Sequence, residues 1–352
     1  MISNWVDVVR TCNLAPDKKM DPVSKWLIIT RSCVFSMTFL SALIGGMLAA
    51  LDGHLLFGRW LLVLLGLLLA HAANNMVNDL FDVQHGVDTG DYPRANYAPH
   101  PLLDNLVSKN GLIAAILACN LLDFAIAVYL TYLCGWPVMA FAVAGLLTSV
   151  FYVAPPLKLK HRGLGELAIF LIWGPLMIAG TYYVMAGSAP AGIWIASVPY
   201  GLAVTVALMG KHLDKADKDE AKGVNTLPVA LGRDRALRTT QLMVWAFYLV
   251  TVGLVAAGGL PWLALLALVS LPQATRFLIA LNQPMPATPL EAFSLAEDAI
   301  PKDLKERFDP TLSADEYPLW PLWYVVWAIW WVRQAGAWLV VGLFIGAVLG
   351  AL

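Results

Sequence analysis

Residues 57–88 read FGRWLLVLLGLLLAHAANNMVNDLFDVQHGVD, and this stretch decides the fold. Its first half is an apolar run of about the 20 residues that one helix needs to cross a bilayer. Its second half turns polar, through His71, Asn74, Asn75, Asn78, Asp79 and Asp82 to Asp88. Amides and carboxylates at the end of a membrane helix are costly, so a cluster of them is a functional hypothesis by default.

The same apolar rhythm recurs on both sides. Spans are read near 26–51, 57–80, 111–134, 136–154, 166–187, 192–212, 238–258, 260–281 and 321–350. The fold class predicted is therefore all-α, a polytopic membrane protein with nine transmembrane helices. Composition agrees: of 352 residues 59% are hydrophobic and 13% charged, where a soluble chain carries about a quarter charged. Soluble, disordered and fibrous classes are excluded. With 23 basic and 24 acidic residues the net charge is -1, which leaves no positive field for nucleic acid. Cys12, Cys33, Cys119 and Cys134 have no paired spacing, which predicts reduced, mostly buried thiols and neither a disulfide frame nor a zinc site.

Residues 1–25 lack a long apolar core and read as an amphipathic lead-in, not a cleaved signal. Residues 26–352 form one membrane domain, with an insertion at about 282–320 broken by Pro284, Pro286, Pro289, Pro301 and Pro310 and holding a short surface helix from Ser294 to Arg307. Basic residues crowd the loops after even-numbered spans, while the opposite loops offer only Arg59. The positive-inside rule then puts the N-terminus and those loops in the cytoplasm and the C-terminus outside, an arrangement that suits a bacterial inner membrane. The last span opens with Trp320, Trp323, Trp327, Trp330 and Trp331, read first as an interfacial aromatic belt, with a groove wall for an isoprenoid tail as the sharper alternative.

Asp79 and Asp82 lie three residues apart and share a helix face, with Asn75 and Asn78 on or beside it. Two carboxylates that close repel unless a cation joins them. Hard oxygen ligands suit Mg2+, which completes its shell with substrate phosphate oxygens, so the pair points to a diphosphate with an apolar tail. A second acidic run, Asp214, Asp217 and Asp219 beside Lys211, His212 and Lys215, ends the sixth span. Both clusters fall on the same membrane face, where Lys211, Lys160 or Arg94 adds positive charge to stabilise a leaving diphosphate.

From about Arg31 to the end of the seventh helix the chain resembles the UbiA superfamily of intramembrane prenyltransferases, whose signature is N-D-x-x-D after helix two and D-x-x-x-D after helix six. The resemblance rests on Asn75 to Asp82 with Gly86 and Asp88, on Tyr152 to Lys160, on Arg162 to Glu166, on Gly174-Pro175 with Tyr182-Tyr183, and on Gly223 to Gly232. The Gly86-Val-Asp88 ending and the segment from Arg162 to Pro175 look most like the menaquinone branch, the 1,4-dihydroxy-2-naphthoate polyprenyltransferases. It implies nine helices around a central cavity and Mg2+-assisted ionisation of a polyprenyl diphosphate, followed by attack of an aromatic acceptor, a quinone precursor. For a dihydroxynaphthoate the acceptor's carboxyl group would be lost.

Carried over residue by residue, it implies metal or diphosphate contacts from Asn78, Asp79, Asp82 and Asp88, a cavity-lining Asn75, and Lys160 and Tyr152 near the diphosphate or acceptor. Asp219 falls on the last aspartate of the second motif. Its middle aspartate is replaced by Lys215, between Asp214 and Asp217, and Lys211 and His212 stand where menaquinone-type members show asparagines. Either Lys215 serves as counter-charge in place of a metal ion, or Asp214 reaches in after a shift of register. The expected site thus comprises catalytic Asp79, Asp82, Lys160 and Asp219; substrate contacts from Asn75, Asn78, Arg94, Tyr152, Lys160, Lys211 and His212; and metal contacts from Asn78, Asp79, Asp82, Asp88, Asp214, Asp217 and Asp219. His161 and His212 are candidates for a general base but read first as helix caps or water-facing groups; His71 reads as an internal polar anchor, and His54, His85 and His100 as loop residues without a visible partner. Two rival classes remain: a terpene cyclase using the same metal site, and a non-catalytic transporter or lipid-binding protein, which would hold its carboxylates at the bilayer midplane in broken helices.

Overall fold

A computed structural model of the chain describes residues 1–15, 18–299 and 320–350. Among them the regular structure is helical, apart from one isolated bridge between Arg162 and Asn225. In chain order the helices are α1 (Ile2–Thr11), α2 (Pro22–Ile29), α3 (Phe35–Leu51), α4 (Phe57–Gln84), α5 (Pro93–Tyr97), α6 (Lys109–Cys134), α7 (Pro137–Val153), α8 (Gly165–Ala186), α9 (Ala191–Leu213), α10 (Ala216–Ala221), α11 (Leu227–Leu231), α12 (Arg233–Ala256), α13 (Trp262–Leu281), α14 (Pro289–Ala296) and α15 (Tyr324–Gly350). Eight segments among the described residues are long and apolar enough to cross a membrane: Ser32–Leu51, which adds a turn to α3, and α4, α6, α8, α9, α12, α13 and α15. The expected count of nine depends on α7, whose 17 residues sit at the lower limit of a spanning length, about 17.

Burial sorts these helices into a centre and a rim. In α8 and α9, 67% of the apolar window is buried inside the protein, against 11% in α6. The α6 side chains Leu117, Leu121, Leu122 and Phe124 are exposed accordingly, as residues facing lipid must be. At the centre the backbones touch: a Cβ on Gly174 of α8 would lie 3.0 Å from the Gly201 Cα of α9. That contact coincides with a π-turn over Ile172–Leu176 containing Pro175, which has no N–H to offer the helical ladder.

The last helix, α15, packs against α3, α9 and α13. Its tryptophans divide by helical phase. Trp331 is fully buried and donates its indole N–H to the Tyr248 hydroxyl at 2.9 Å, between Phe247 and Phe277. Trp323, Trp327 and Trp330 instead face a cavity. This corrects the first reading of the stripe as an interfacial belt: a helix packed on three neighbours turns its indoles inward.

The amino-terminal segment is folded back onto the bundle. Asn4 and Trp5 both donate to the Asp21 carboxylate at 3.0 Å, and the same carboxylate caps α2 by accepting from the N–H groups of Val23 and Ser24. A disulfide joins Cys12 to Cys33, with Cα atoms 5.2 Å apart. The expectation of four reduced thiols is therefore corrected. The two cysteines are 21 residues apart in sequence, and only the return of α1 along α2 brings them together, which no local spacing reveals. Cys119 and Cys134 are free and half-buried. In the insertion, α14 starts at Thr288, whose hydroxyl accepts from the Glu291 N–H; Pro301, Pro310 and the part of the expected surface helix beyond residue 299 lie outside the described residues.

Close approach of α15 to α13 depends on Gly342, where an added Cβ would fall on the Leu263 carbonyl. Gly253 of α12 has open space around it. Gly342→Val is expected to lower stability by about 3 kcal/mol, the upper part of the range for overpacking, while Gly253→Val has little effect, read by thermal unfolding in detergent. Equal losses would refute this account of the contact.

Candidate active site

Three loops and two helix ends meet at one pole of the bundle. The last turns of α4 bring Asn75, Asn78, Asp79 and Asp82 there, all buried. The loop after it brings Asp88, Tyr92, Arg94 and His100. A 3-10 turn after α7, Leu159–His161, delivers Lys160, and α10 delivers Asp219. Low dielectric makes each of these charges costly to leave alone, and the structure pairs them. Asp79, fully buried, lies against Arg31 and accepts from Arg94 at both oxygens, each at 3.2 Å. Asp82 Oδ2 accepts from Asn78 Nδ2 and from Lys160 Nζ, both at 2.7 Å. Asp219 Oδ1 accepts from Lys215 Nζ at 3.1 Å and from the Tyr92 hydroxyl. His100 Nε2 lies 3.2 Å from Asp88 and 3.7 Å from Asp79.

Protonation follows from these partners. Burial works against the Lys160 charge, but the carboxylates of Asp82, Asp88 and Asp219 outweigh it and raise the pKa. Burial pushes Asp219 up, and Lys215, His212 and Lys160 pull it below the usual carboxylate range. Lys215 is held below an ordinary lysine by burial and by Lys160. Burial and the adjacent Asp219 hold Tyr92 strongly protonated, fit to donate.

Two buried carboxylate oxygens of the pole, Asp82 Oδ1 and Asp219 Oδ2, have no hydrogen-bond partner, nor has Glu166 Oε2 outside it. An unpaired buried acceptor carries its full desolvation penalty, so these atoms suit a hard cation. Asp79, Asp88 and His100 also place one ligand atom each within 4.8 Å of one another. This charged pole opens on a cavity of about 630 Å³. Asn74, Asn75, Asn78, Arg31, Arg94, Tyr152 and Lys211 line its polar end; Met37, Ile169, Trp173 and the α15 tryptophans line the rest. Both the folded-back segment Arg10–Ala15 and α14 contribute to its wall.

The expected site residues thus separate into two groups. Asn75, Asn78, Asp79, Asp82, Asp88, Arg94, Tyr152, Lys160, Lys211 and Asp219 converge on the cavity or its charged pole. Three do not. His212 Nδ1 pairs with Glu166 Oε1 at 2.6 Å and lines neither pocket. Asp217 is exposed on α10. Asp214 turns to α15, accepting from the N–H groups of Tyr324 at 2.7 Å and Val325 at 3.0 Å. It caps that helix, and burial pushes its pKa up to about 7. Asp214 is thus turned away from the pole, and Lys215 points into it, bonded to Asp219 and Tyr92.

Arg31 and His100 escaped the sequence reading. Arg31 stands alone before the first span, in a left-handed conformation with φ 53°, and only an excess of buried carboxylate hinted at a further cation. His100 looked like a loop residue without a partner and proves fully buried between two aspartates. His71 is the internal anchor expected, its Nδ1 2.7 Å from the Thr38 hydroxyl. His161 lies outside the cavity against His85, its pKa lowered to about 4 by burial and Lys160.

A model of the UbiA prenyltransferase family matches residues 38–293. The chain is 26% identical over 276 residues to the 2-carboxy-1,4-naphthoquinone phytyltransferase of Synechocystis, covering 77% of this chain and 86% of that protein. It is 23% identical over 285 residues to the 1,4-dihydroxy-2-naphthoate octaprenyltransferase of Bacillus subtilis, covering 79% and 85%. Its fold is similar, with a TM-score of 0.52 and 15% identity, to a UbiA homolog from Archaeoglobus fulgidus bound to GPP and Mg2+, over 90% of this chain and 99% of that one.

Asp214 as a cap predicts a stability effect that Asp217 lacks. Asp214→Ala is expected to cost about 1 kcal/mol, as lost caps do, and Asp217→Ala less than about 0.5. Because burial raises the folded pKa of Asp214 from 3.8 to about 7, its stabilising contribution is full below the unfolded value and is lost as pH rises through 7. The Asp214→Ala deficit should therefore be larger at pH 5 than at pH 8 in thermal unfolding. A deficit that grows with pH would contradict the assignment.

Proposed function

Since the chain belongs to the UbiA prenyltransferase family and is an integral membrane prenyltransferase, we propose that it transfers a polyprenyl group from a polyprenyl diphosphate to an aromatic acceptor of the dihydroxynaphthoate kind. The observation that carries this reading is the joining of a buried charged pole to an apolar, indole-walled cavity. A diphosphate with a long hydrocarbon tail needs both. The 2-carboxy-1,4-naphthoquinone and the 1,4-dihydroxy-2-naphthoate named for the Synechocystis and Bacillus relatives support the choice of acceptor.

Arg94, Lys160, Lys211 and Lys215 offer donors to the diphosphate oxygens and lower the energy of charge developing on them. The tail lies along Met37, Trp173 and Trp327, where about 0.8 kcal/mol is gained per methylene removed from water. The allylic carbon–oxygen bond breaks with its electron pair leaving on the diphosphate; a ring carbon of the acceptor supplies the pair for the new carbon–carbon bond, and the ring regains aromaticity by losing a proton or, from a carboxylated position, carbon dioxide. Asp82 and Asp219, each with one oxygen unpaired, with Asp79, Asp88 and Asn78 beside them, are the groups that would hold Mg2+. When bound, Mg2+ neutralises charge on the diphosphate.

The transporter reading needed carboxylates at the bilayer midplane; here they sit in the last turns of α4 and beyond. We place this pole at the cytoplasmic face of a bacterial inner membrane, on the asymmetry of basic loops.

Mass spectrometry of products from purified protein, Mg2+ and a set of polyprenyl diphosphates, with and without aromatic acceptors, tests the reading. A prenylated naphthalenoid supports it; a cyclic hydrocarbon formed from donor alone would overturn it. Asp82→Asn and Asp219→Asn are each expected to lower turnover by about a hundredfold or more without loss of folding. Lys215→Asp, which restores a carboxylate to the pole, should raise the affinity for Mg2+ in a binding titration; no change would place Lys215 outside the site.

A further inference from the structure

Arg333 is a charge that the diphosphate pole does not explain. It lies nine residues into α15, about 13 Å along the helix axis, at a depth where an arginine is costly and marks function by default. Its Nε donates to Ser36 Oγ at 3.0 Å and one terminal nitrogen donates to the Cys33 carbonyl. Both acceptors are neutral, and no carboxylate pairs with Arg333 among the described residues. The guanidinium lines the main cavity but not the narrow charged pocket, whose cations are Arg31, Arg94, Lys160, Lys211 and Lys215. It shares its helix face with Trp330 and Val326, one turn and two turns towards the pole.

Besides Arg10 of the folded-back segment, the cavity therefore holds a cationic point away from the pole, fixed by two hydrogen bonds, beside flat indole surfaces. The donor leaves it unmatched, because the donor's charge belongs at the pole and its tail has none. What fits is an anionic group on a flat aromatic body. We propose that Arg333 binds the carboxylate of the aromatic acceptor and selects acidic acceptors over neutral ones. This rests on the prenyltransferase reading above and deepens it. A planar guanidinium suits a carboxylate, which it meets with two parallel N–H donors, and the Trp330 ring supplies stacking surface.

The test compares 1,4-dihydroxy-2-naphthoate with 1,4-dihydroxynaphthalene as acceptors for the parent, Arg333→Gln and Arg333→Lys proteins in phosphatidylcholine nanodiscs. Arg333→Gln should raise KM for the carboxylated acceptor by roughly ten- to a hundredfold, the weight of a charged hydrogen bond. Its KM for the donor and its kcat/KM for the neutral acceptor should stay unchanged, which also shows that the variant folds. Arg333→Lys should recover part of the loss. Equal loss with both acceptors would overturn the inference and leave a structural role. An effect that appears only when phosphatidylglycerol is added would overturn it too, in favour of an anionic headgroup. No turnover of either acceptor by the parent would overturn the reading of a dihydroxynaphthoate acceptor, and this inference with it.

Discussion

Asp79 cannot be buried at the end of α4 without its two arginines. A carboxylate taken from water into a helical bundle costs several kcal/mol unless it is paired and hydrogen-bonded, and Arg31 and Arg94 meet that requirement from opposite directions. The same constraint binds Asp82 to Lys160 and Asp219 to Lys215. Asp79 ties the start of the first span and the loop after α4 to the end of that helix, and Asp82 ties it to the turn after α7; Asp219 and Lys215 lie four residues apart, and the Tyr92 hydroxyl, bonded to both, ties them to the loop after α4. Removing one partner would leave an uncompensated charge, so the loops hold one another in place.

Pairing of this kind can serve chemistry because it is incomplete. Asp82 and Asp219 each keep one oxygen without a partner, and Lys211 lines the cavity with no ion pair among the described residues. A substrate that brings both anionic oxygens and a metal ion completes the set. The unliganded pole is thus arranged around charges that arrive later, while, Arg333 apart, the indoles of α15 and the apolar faces of α3 and α8 suit a hydrocarbon. Lys215, in a motif position where an aspartate is usual in the resemblance, shifts the balance of fixed charge towards the positive.

Much of this was legible in the sequence because membrane helices announce themselves by length and because polar residues inside them are rare. The run from Asn75 to Asp88 marked its half of the pole, topology brought Lys160 and the second acidic run to the same face, and the resemblance singled out Asp219 within that run. Legibility failed where a residue's role is set by a distant partner. Arg31 and His100 look ordinary until Asp79 is placed beside them. Asp214 sits in an acidic run and was grouped with its neighbours, yet the N-terminus of α15, 110 residues further on, supplies the N–H groups that claim it. Cys12 and Cys33 meet only because α1 folds back, and the phase of the tryptophan stripe depends on which helices pack against α15.

The central claim is that the unpaired oxygens of Asp82 and Asp219 mark where a metal ion and the diphosphate are held. Anomalous scattering from a crystal soaked with Mn2+ and a non-hydrolysable prenyl diphosphate analogue tests it most directly. The account predicts Mn2+ peaks at the Asp82 and Asp219 carboxylates, with the diphosphate beside Lys160 and the tail in the indole-walled cavity. Mn2+ found elsewhere, with both oxygens still unpaired and the diphosphate away from Lys160, would contradict it.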